Sequence, residues 1–373
     1  MPEPRILVLR LSSLGDIVLT SSFLQSCRER FPGARVDYAV RDDYGALART
    51  LPGVDRVLEV PRGANASALL RLGSQWARTG YEHVFDLHQS LRSKLLTWRL
   101  RSRRRAGFHK QEVPRWMLIH ARRDVYRHFG CAQPLRERML QPLHRAGKPA
   151  QLYDTRLILP ETSQSRAARR LRDAGIAPEK RILGLVPGAR WASKRWPITR
   201  WIELVQHLEV RTEHTFVLLG APAEQPLSAA VGAAIPGRCL DLCGRLDILE
   251  TAAVLERCAA VVTHDSGLMH VAEAMGRPVL ALFGPTAAQF GYAPYRAASD
   301  MLHEPPACSP CSKNGSRACR RPTHECMLNL DVERVTAATL ALISRAEAER
   351  APVAPASSIK PSAPGQRHPH TGS

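Results

Sequence analysis

Short apolar runs alternate with amphipathic helical patterns along most of this chain of 373 residues. In the first half, the pattern predicts strands at 5–10, 35–40, 56–60 and 82–87, and helices at 13–31, 43–51, 65–78 and 90–100. Strands that are apolar throughout are typical of a parallel sheet with helices packed on both faces. The first half is therefore expected to form such a sheet.

The same alternation restarts after a polar helical stretch at 161–180. It predicts strands at 181–186, 215–219, 259–263 and 278–283, and helices at 199–210, 224–234, 247–257 and 266–275. We therefore expect an α/β protein of two doubly wound domains, 1–165 and 166–349. In such sheets ligands bind outside the carboxyl ends of the strands, so two facing sheets would form a cleft. Residues 350–373 are rich in Pro, Ser and Ala and are expected to be a disordered tail.

Charge and missing motifs narrow the class of protein. The chain carries 53 Lys and Arg against 34 Asp and Glu, a formal net charge of +19, which indicates an anionic partner. It contains neither a G-x-G-x-x-G fingerprint nor a G-x-x-x-x-G-K-[ST] loop, which disfavours dehydrogenases and P-loop NTPases. No apolar run reaches the length of a membrane span, and Arg10 and Asp16 interrupt the N-terminal one. A secretory signal is therefore not expected, and the protein is expected to be cytosolic.

Two strand-to-helix turns, one in each half, carry candidate functional residues. The first turn runs from Ser12 through Ser13 and Gly15 to Asp16, where a carboxylate follows a buried strand. Unpaired N–H groups at the start of a helix bind phosphate oxygens. Alternatively, Ser13 serves only as a helix N-cap, which is a common role for serine.

The second turn contains Asp265, Ser266 and Gly267, with His270 about one helical turn further on. Its small residues would let the backbone approach a phosphate closely. The same alternative applies here, because Asp265 is also a residue type that caps helices.

Two further segments follow predicted strands of the second half. Gly188 lies at a strand end and Lys194 follows it, where a lysine could act as a point charge on a diphosphate. Glu224 follows Gly220 and could accept hydrogen bonds from ribose hydroxyls. The alternatives are a solvated surface lysine and a carboxylate in the first turn of a helix.

Several segments together resemble one family, the bacterial lipopolysaccharide heptosyltransferases of glycosyltransferase family 9. The resemblance spans roughly residues 5–345 and is carried by LRLSSLGDIVLTSSFL, PGARWASKRWP, LLGAPAEQ, THDSGLMH, FGPT and a cysteine-rich segment. It implies a GT-B fold, with the acceptor on the N-terminal domain and ADP-heptose on the C-terminal one. It also implies an inverting transfer that needs no catalytic metal. The segment before Lys194, PGARWAS, departs from a branch of the family that has threonines there.

The resemblance also implies roles for particular residues. Asp16 would be the general base that takes the proton of the acceptor hydroxyl, either because burial raises its pKa or because it acts late in the reaction. Lys194 and the N–H groups after Asp265 would stabilise the departing diphosphate. The implied nucleotide-sugar site comprises Ser12, Ser13, Gly15, Gly188, Lys194, Glu224, Asp265, Ser266, Gly267 and His270.

The segment 92–123 holds eleven Lys or Arg and a single acid, Glu112. A lipid-linked acceptor that carries phosphates and sugar acids would account for this charge. The candidate acceptor-binding residues are Arg103, Arg104, Arg105, Lys110 and Arg115. A solvated helix face is the alternative, and nucleic-acid binding is disfavoured because no nucleic-acid motif accompanies the charge.

Four of the nine cysteines lie within nineteen residues: Cys308, Cys311, Cys319 and Cys326. Four thiols with one C-x-x-C pair could hold a structural Zn or Fe ion away from Asp16. Cys27, Cys131, Cys239, Cys243 and Cys258 are expected in or near the core.

We therefore expect a cytoplasmic enzyme, peripheral to the inner membrane, that moves heptose from ADP-heptose to a Kdo or first-heptose acceptor. Two alternatives remain at this stage. One is a family 9 enzyme for a protein or another surface glycan, and the other is a non-catalytic module that binds sugar nucleotides or anionic lipids. Retention of Asp16, Lys194 and Asp265 argues against the second alternative. The sequence leaves open the donor base and sugar, the acceptor position and the oligomeric state.

Overall fold

The computed structural model describes residues 3–126, 128, 132–144, 149–319, 321 and 323–350 and contains two parallel β-sheets. The strands of the first sheet are β1 (Arg5–Leu9), β2 (Arg35–Arg41), β3 (Arg56–Val60), β4 (His83–Asp86) and β5 (Arg104–Ala106). Its helices are α1 (Leu14–Arg30), α2 (Gly45–Ala48), α3 (Ala66–Ala77), α4 (Leu91–Thr97), α5 (Glu112–Trp116) and α6 (Leu135–Arg138). The strand order is β3-β2-β1-β4-β5, so it reverses between β1 and β4.

The second sheet has the strand order β11-β10-β9-β6-β7-β8, which reverses between β6 and β9. Its strands are β6 (Ile182–Leu185), β7 (Thr215–Leu218), β8 (Cys239–Asp241), β9 (Ala260–His264), β10 (Val279–Phe283) and β11 (Asp300–His303). Its helices are α7 (Glu161–Asp173), α8 (Ile198–Glu209), α9 (Gln225–Ala233), α10 (Ile248–Arg257), α11 (Gly267–Ala274), α12 (Glu325–Leu328) and α13 (Val332–Arg350). Ligands of doubly wound sheets bind where the strand order reverses, which marks the ends of β1, β4, β6 and β9.

All eight predicted strands are present within a residue or two of the predicted bounds. The prediction missed β5, β8 and β11, which have three or four residues each and lie at sheet edges. An edge strand is only partly buried, so it shows no apolar run that would reveal it. The helix predicted at 43–51 is a 3₁₀ turn at Asp42–Tyr44 followed by the short α2.

Helix α1 is buried around most of its circumference, including its serines. Ser22 Oγ donates to the Tyr153 carbonyl at 2.6 Å, and Ser26 Oγ donates to the Gln151 carbonyl. These hydroxyls satisfy backbone groups of the segment that leads towards the second sheet. The serines between the apolar residues of α1 therefore hold this connecting segment against the first sheet.

The chain then enters α7, which packs against α10, and Arg166 Nε lies 3.1 Å from Glu250 Oε1. The division proposed at residue 165 thus falls inside a helix that packs with the second sheet. One apolar core includes residues of both sheets, such as Val8 and Val261. The two halves are consequently packed on each other and not merely joined by a linker.

Three other expectations concern regions outside the sheets. Cys27, Cys243 and Cys258 are buried and Cys239 is half-buried, as expected, whereas Cys131 lies outside the described residues. The predicted tail also lies outside them, except for Arg350, which ends α13. Among the described residues, no helix is long and apolar enough to cross a membrane.

Candidate active site

Asp16 lies in the first turn of α1, directly after β1, and its carboxylate is buried. Arg10 Nη2 lies 2.6 Å from Oδ1, and the Tyr292 hydroxyl donates to the same oxygen at 3.0 Å. The Ser13 N–H and hydroxyl donate to Oδ2 at 3.0 and 2.7 Å. Ser13 thus stands at the N-cap position of α1, as the alternative interpretation expected, but it also donates two hydrogen bonds to the candidate base.

These contacts decide the charge of Asp16. Burial by itself opposes ionisation, but the charge and hydrogen bonds of Arg10, with the two hydrogen bonds from Ser13, hold the pKa of Asp16 well below its ordinary value. The expectation that burial raises this pKa is therefore wrong. A late-acting base with a fixed position, the other form of that hypothesis, is compatible with the geometry.

The two strand-to-helix turns, which are 250 residues apart in sequence, meet face to face. A β-carbon on Gly15 would lie 2.5 Å from Cδ2 of His270, and one on Gly267 would lie 2.7 Å from Cδ2 of Leu14. Any larger residue at either glycine would force α1 and α11 apart. The glycines therefore permit the close approach that brings Asp16 beside the start of α11.

His270 is buried in α11 between the two turns. Burial lowers the pKa of its imidazole to about 4, against the opposing effects of Asp265 and Asp16. The ring is thus neutral at physiological pH. Its Nδ1 atom is buried and has no hydrogen-bond partner among the described residues.

Lys194 and Asp265 form a second buried ion pair on the other side of the cleft. Lys194 Nζ lies 2.5 Å from Oδ2 of Asp265 and also donates to the Asp265 carbonyl at 3.0 Å. Thr286 of the F-G-P-T motif donates its hydroxyl to the same carboxylate at 2.7 Å. Asp265 therefore orients Lys194 and does not cap α11, which begins after Ser266.

Glu224 occupies the space beside two glycines. A β-carbon on Gly188 would collide with the Glu224 carboxyl group, and one on Gly220 would lie 2.8 Å from its Oε2. Oε2 accepts a hydrogen bond from the Ala221 N–H at 2.8 Å. Glu224 is consequently buried after β7, in the first turn of the 3₁₀ helix Pro222–Glu224, which is the position that the alternative interpretation expected.

His264, which sequence reasoning missed, supports this wall of the cleft. Its Nδ1–H donates to the Gly188 carbonyl at 3.1 Å, and its Nε2 accepts from the Trp196 N–H at 2.9 Å. Burial lowers its pKa to about 4, so the neutral ring keeps both hydrogen bonds at physiological pH. The signal was its place at the end of an apolar strand, directly before Asp265.

The five basic residues predicted to bind the acceptor are separated by the fold. Lys110 and Arg115 lie near Asp16. Lys110 Nζ donates to the Gln89 carbonyl, and the pKa of Lys110 is lowered mainly by burial and also by the charge of Arg10. Arg103 lies beside Glu82 at the opposite end of β4, with 3.2 Å between Nη1 and Oε1. Arg104 and Arg105 lie in the edge strand β5, next to Arg103.

Other residues near Asp16 had no signal in the sequence. The pKa of Lys313 is lowered by burial and by Arg115 and Arg10, which places this lysine in the same charged cluster. His88, after β4, has a pKa of about 4 because of burial and the nearby charges of Arg10 and Lys110. The surroundings of Asp16 are therefore rich in cations.

Four thiols line one narrow cavity: Cys308, Cys311, Cys319 and Cys326. Burial, with a smaller contribution from the other three cysteines, raises the pKa of Cys326 to about 12. As the side chains stand, no group of three His, Cys, Asp or Glu in the described residues could hold a metal ion. The expected metal site is thus not confirmed.

The loop that carries these cysteines also reaches Lys194. Ser193 Oγ donates to the Gly315 carbonyl, and His324 Nε2 donates to the Ser193 carbonyl at 2.6 Å. A β-carbon on Gly315 would lie 2.8 Å from the Lys194 side chain. The cysteine-rich loop therefore packs directly on the Lys194 segment and, through Lys313, reaches the surroundings of Asp16.

Comparison with known proteins agrees with the family resemblance of the sequence. The family model described as glycosyltransferase family 9 (heptosyltransferase) matches residues 69–320. Lipooligosaccharide heptosyltransferase 2 of Haemophilus influenzae is 27% identical over 301 residues, which cover 76% of this chain and 84% of that protein.

Solved structures agree on the fold. ADP-heptose LPS heptosyltransferase II of E. coli superposes with a TM-score of 0.72 at 23% identity, covering 92% of this chain and 99% of that one. TibC, described as an iron-containing dodecameric glycosyltransferase from enterotoxigenic E. coli, gives a TM-score of 0.53 at 13% identity, covering 92% and 77%. The predicted GT-B fold of two Rossmann-like domains is confirmed. Because the family model matches well over half of the chain, the protein belongs to glycosyltransferase family 9, the heptosyltransferase family.

Proposed function

We propose that this glycosyltransferase transfers heptose from ADP-heptose to the lipopolysaccharide inner core, with Kdo or the first heptose as acceptor. The observation that carries the proposal is the juxtaposition of Asp16 with the start of α11, the helix that follows Asp265 and its ion pair with Lys194. The names of the relatives support the choice of heptose and of a lipopolysaccharide or lipooligosaccharide acceptor.

In this proposal the donor binds to the second sheet. Lys194 and the backbone N–H groups at the start of α11 would neutralise the diphosphate, because the Ser266 side chain does not cap that helix. Glu224, after β7, would accept hydrogen bonds from ribose hydroxyls, and His270 faces the same cleft. Ser12, Ser13 and Gly15 form the facing wall.

The acceptor, bound against the first sheet, would then react with the donor. Its hydroxyl oxygen forms a bond to the anomeric carbon, while the bond from that carbon to the diphosphate breaks and ADP leaves with the electron pair. The proton of the hydroxyl passes to Asp16. Because the pKa of Asp16 is low, the transfer occurs late, when the developing bond has made the hydroxyl acidic. Attack opposite the leaving group inverts the anomeric centre, and the step needs no metal.

The proposed base is tested with Asp16→Asn, which keeps the size of the side chain but accepts no proton. We expect kcat to fall by roughly 10²–10⁴, with the Kd of ADP nearly unchanged because the donor contacts lie on the other sheet. ADP release from ADP-heptose is followed with Kdo-bearing and heptosylated acceptors, and ADP affinity by calorimetry.

Asp43→Asn, which changes an exposed carboxylate that follows β2, is the matched control. Near-normal turnover of the Asp16 variant would show that this residue only begins the helix. ADP release only with a protein or another glycan as acceptor would favour the alternative family 9 activity. No release with any sugar nucleotide would favour a binding module.

The pH dependence tests the pair of Arg10 and Asp16. In the wild type the low pKa keeps Asp16 ionised above pH 5, so kcat/KM should show no acid limb from it there. In Arg10→Gln the opposing effect of burial remains without the cation, so the pKa of Asp16 rises and an acid limb should appear above pH 5. The measurement is kcat/KM from pH 5 to 9.

The other titratable groups near Asp16 do not produce an acid limb above pH 5. His88 and His270 titrate near pH 4, and burial raises the pKa values of Tyr38 and Tyr292. Burial lowers the pKa values of Lys110 and Lys313, but loss of a lysine proton as the pH rises bears on an alkaline limb and not on an acid one. Arg41→Gln, which removes a half-buried arginine that pairs with Asp43, is the control. An equal loss of rate at every pH would mean that Arg10 is needed only for folding.

We propose further that the acceptor lies against the cations beside Asp16, which are Arg10, Lys110, Arg115 and Lys313. Phosphates and sugar acids on the acceptor would complement this charge. Arg103, with Arg104 and Arg105 beside it in the edge strand, lies towards the amino end of the sheet and is less suited to this role.

Peripheral binding to the anionic inner leaflet, from the cytoplasmic side, is proposed on separate evidence. Four large apolar side chains on or next to α4 and α5 are exposed, in the same segment as the basic residues: Leu91, Trp98, Val113 and Trp116. Exposed tryptophans beside arginines are typical of surfaces that enter the lipid headgroup region. Such a surface would present the cleft to a lipid-linked acceptor.

These two proposals are separated by one pair of variants. Lys110→Gln/Lys313→Gln should raise acceptor KM at least about tenfold, the scale of lost hydrogen bonds to charged groups, both for a deacylated acceptor and for one in anionic vesicles. Trp98→Ser/Trp116→Ser should raise KM only for the vesicle-bound acceptor. Initial rates with both acceptor forms provide the measurement.

Arg103→Gln is the matched control, because it removes one arginine of the same segment at the other end of the sheet. An increase in KM as large as that of the lysine variant would mean that only the overall charge matters. Unchanged vesicle kinetics in the tryptophan variant would contradict the membrane contact.

Finally, we propose that Cys308, Cys311, Cys319 and Cys326 hold a structural Zn or Fe ion, whose ligands would be thiolates. The set of four thiols around one cavity supports this. So bound, the ion would brace the loop that packs on Lys194.

The metal proposal predicts about one Zn or Fe per purified chain. Cys308→Ser/Cys311→Ser should lose the metal and several degrees of Tm, because metal binding contributes to folding. Cys239→Ser, outside the cluster, should keep both. Elemental analysis and thermal melts measure these quantities, and a fully stable, metal-free wild type would contradict the proposal.

A further inference from the structure

The hydrogen bond between Tyr292 and Asp16 joins the two halves of the protein. Tyr292 lies in the segment after β10, and its hydroxyl is 3.0 Å from Oδ1 of a carboxylate that follows β1, 276 residues away in sequence. The tyrosine ring lies beside His270, with 6.1 Å between the ring centroids. A residue of the second half of the chain thus touches the proposed base in the first half.

Asp16 has no unused acceptor position in this arrangement. An ionised carboxylate offers about four lone-pair sites, two on each oxygen. Oδ1 accepts from Arg10 and Tyr292, and Oδ2 accepts twice from Ser13. A substrate hydroxyl can therefore reach the carboxylate only if one of these four donors leaves.

Three of the four donors are held in place. Arg10 is buried, also donates to the Leu87 carbonyl, and would leave an uncompensated buried charge if its ion pair with Asp16 broke. The two Ser13 groups belong to the same helical turn as Asp16. Tyr292, by contrast, is a neutral group in the segment between β10 and β11, and it can move without disturbing the first turn of α1.

We propose that the Tyr292 hydroxyl occupies the position of the acceptor hydroxyl and is displaced by it. This inference rests on the proposed role of Asp16 as base. Tyr292 is a positioning residue that competes with the acceptor and also keeps water from Asp16. Without it, a water oxygen can attack the anomeric carbon, its proton passes to Asp16, and ADP leaves with the electron pair. Tyr292 thereby favours transfer over hydrolysis of the donor.

The test is Tyr292→Phe, which removes the hydroxyl and keeps the ring. We expect ADP release from ADP-heptose without acceptor to rise roughly tenfold, the scale of one hydrogen bond to a charged group. Acceptor KM should fall several-fold, with kcat within about a factor of two and Tm unchanged. A merely structural tyrosine would not produce opposite changes in hydrolysis and KM.

Tyr295→Phe is the matched control, because the Tyr295 hydroxyl also joins the same segment to another part of the chain, at Thr155. It should loosen that segment without increasing hydrolysis or lowering acceptor KM. Equal effects of both variants would mean that loop mobility, and not release of Asp16, is responsible. Unchanged hydrolysis and KM in Tyr292→Phe would also overturn the inference.

The double variant Asp16→Asn/Tyr292→Phe distinguishes the role of Asp16 as base from the role of Tyr292 as its competitor. If Asp16→Asn alone is inactive, the base assignment holds, and the gain in hydrolysis should vanish in the double variant. If Asp16→Asn alone turns over normally, the base assignment fails, and this inference fails with it. If the base assignment holds but Tyr292→Phe hydrolyses and binds as the wild type does, the inference alone is wrong.

Discussion

The close contact between the starts of α1 and α11 is the constraint on which the site depends. It exists because Gly15 and Gly267 leave room for His270 and Leu14, where a single extra carbon would collide. Each helix follows a strand at the point where its own sheet reverses order. The contact therefore brings the binding edges of two separate sheets together, and everything in the cleft is positioned relative to it.

Two buried ion pairs then set the electrostatics on either side of this contact. Arg10 keeps Asp16 ionised on the first sheet, and Asp265 orients Lys194 on the second. A buried pair is not in itself a source of stability, but removing one partner typically costs about 3–5 kcal/mol because the other charge remains unsatisfied. Such pairs are therefore suited to holding a charge at a defined place. The histidines between them, with pKa values near 4, add polar atoms without adding charge.

The cysteine-rich loop and the segment around Tyr292 connect this centre to the rest of the second half. The loop packs on Lys194 through Gly315, and Tyr292 meets Asp16 directly. The Tyr292 segment follows β10 and the cysteine-rich loop follows β11, so two connecting segments supply contacts to both ion pairs. A change in either segment would alter the contacts of the Asp16 carboxylate or of the Lys194 side chain, although neither segment belongs to the strand-to-helix turns.

The sequence by itself determined the two-sheet architecture, because buried parallel strands must be continuous apolar runs and the turns after them are short and local. It also indicated Asp16, Lys194, Glu224 and the turn at Asp265, since each lies in the connection from a strand to the next helix. Only the tertiary structure decided what surrounds Asp16. Tyr292 lies 276 residues from Asp16 in sequence, and no local period or spacing relates the two. The basic segment was likewise divided by the parallel direction of β4 and β5, which puts Arg103 at one end of the sheet and Lys110 at the other. Arg10 and Ser13, which lower the pKa of Asp16, lie close to it in sequence, but only the folded turn brings their donors onto the carboxylate, and burial alone would shift this pKa in the opposite direction.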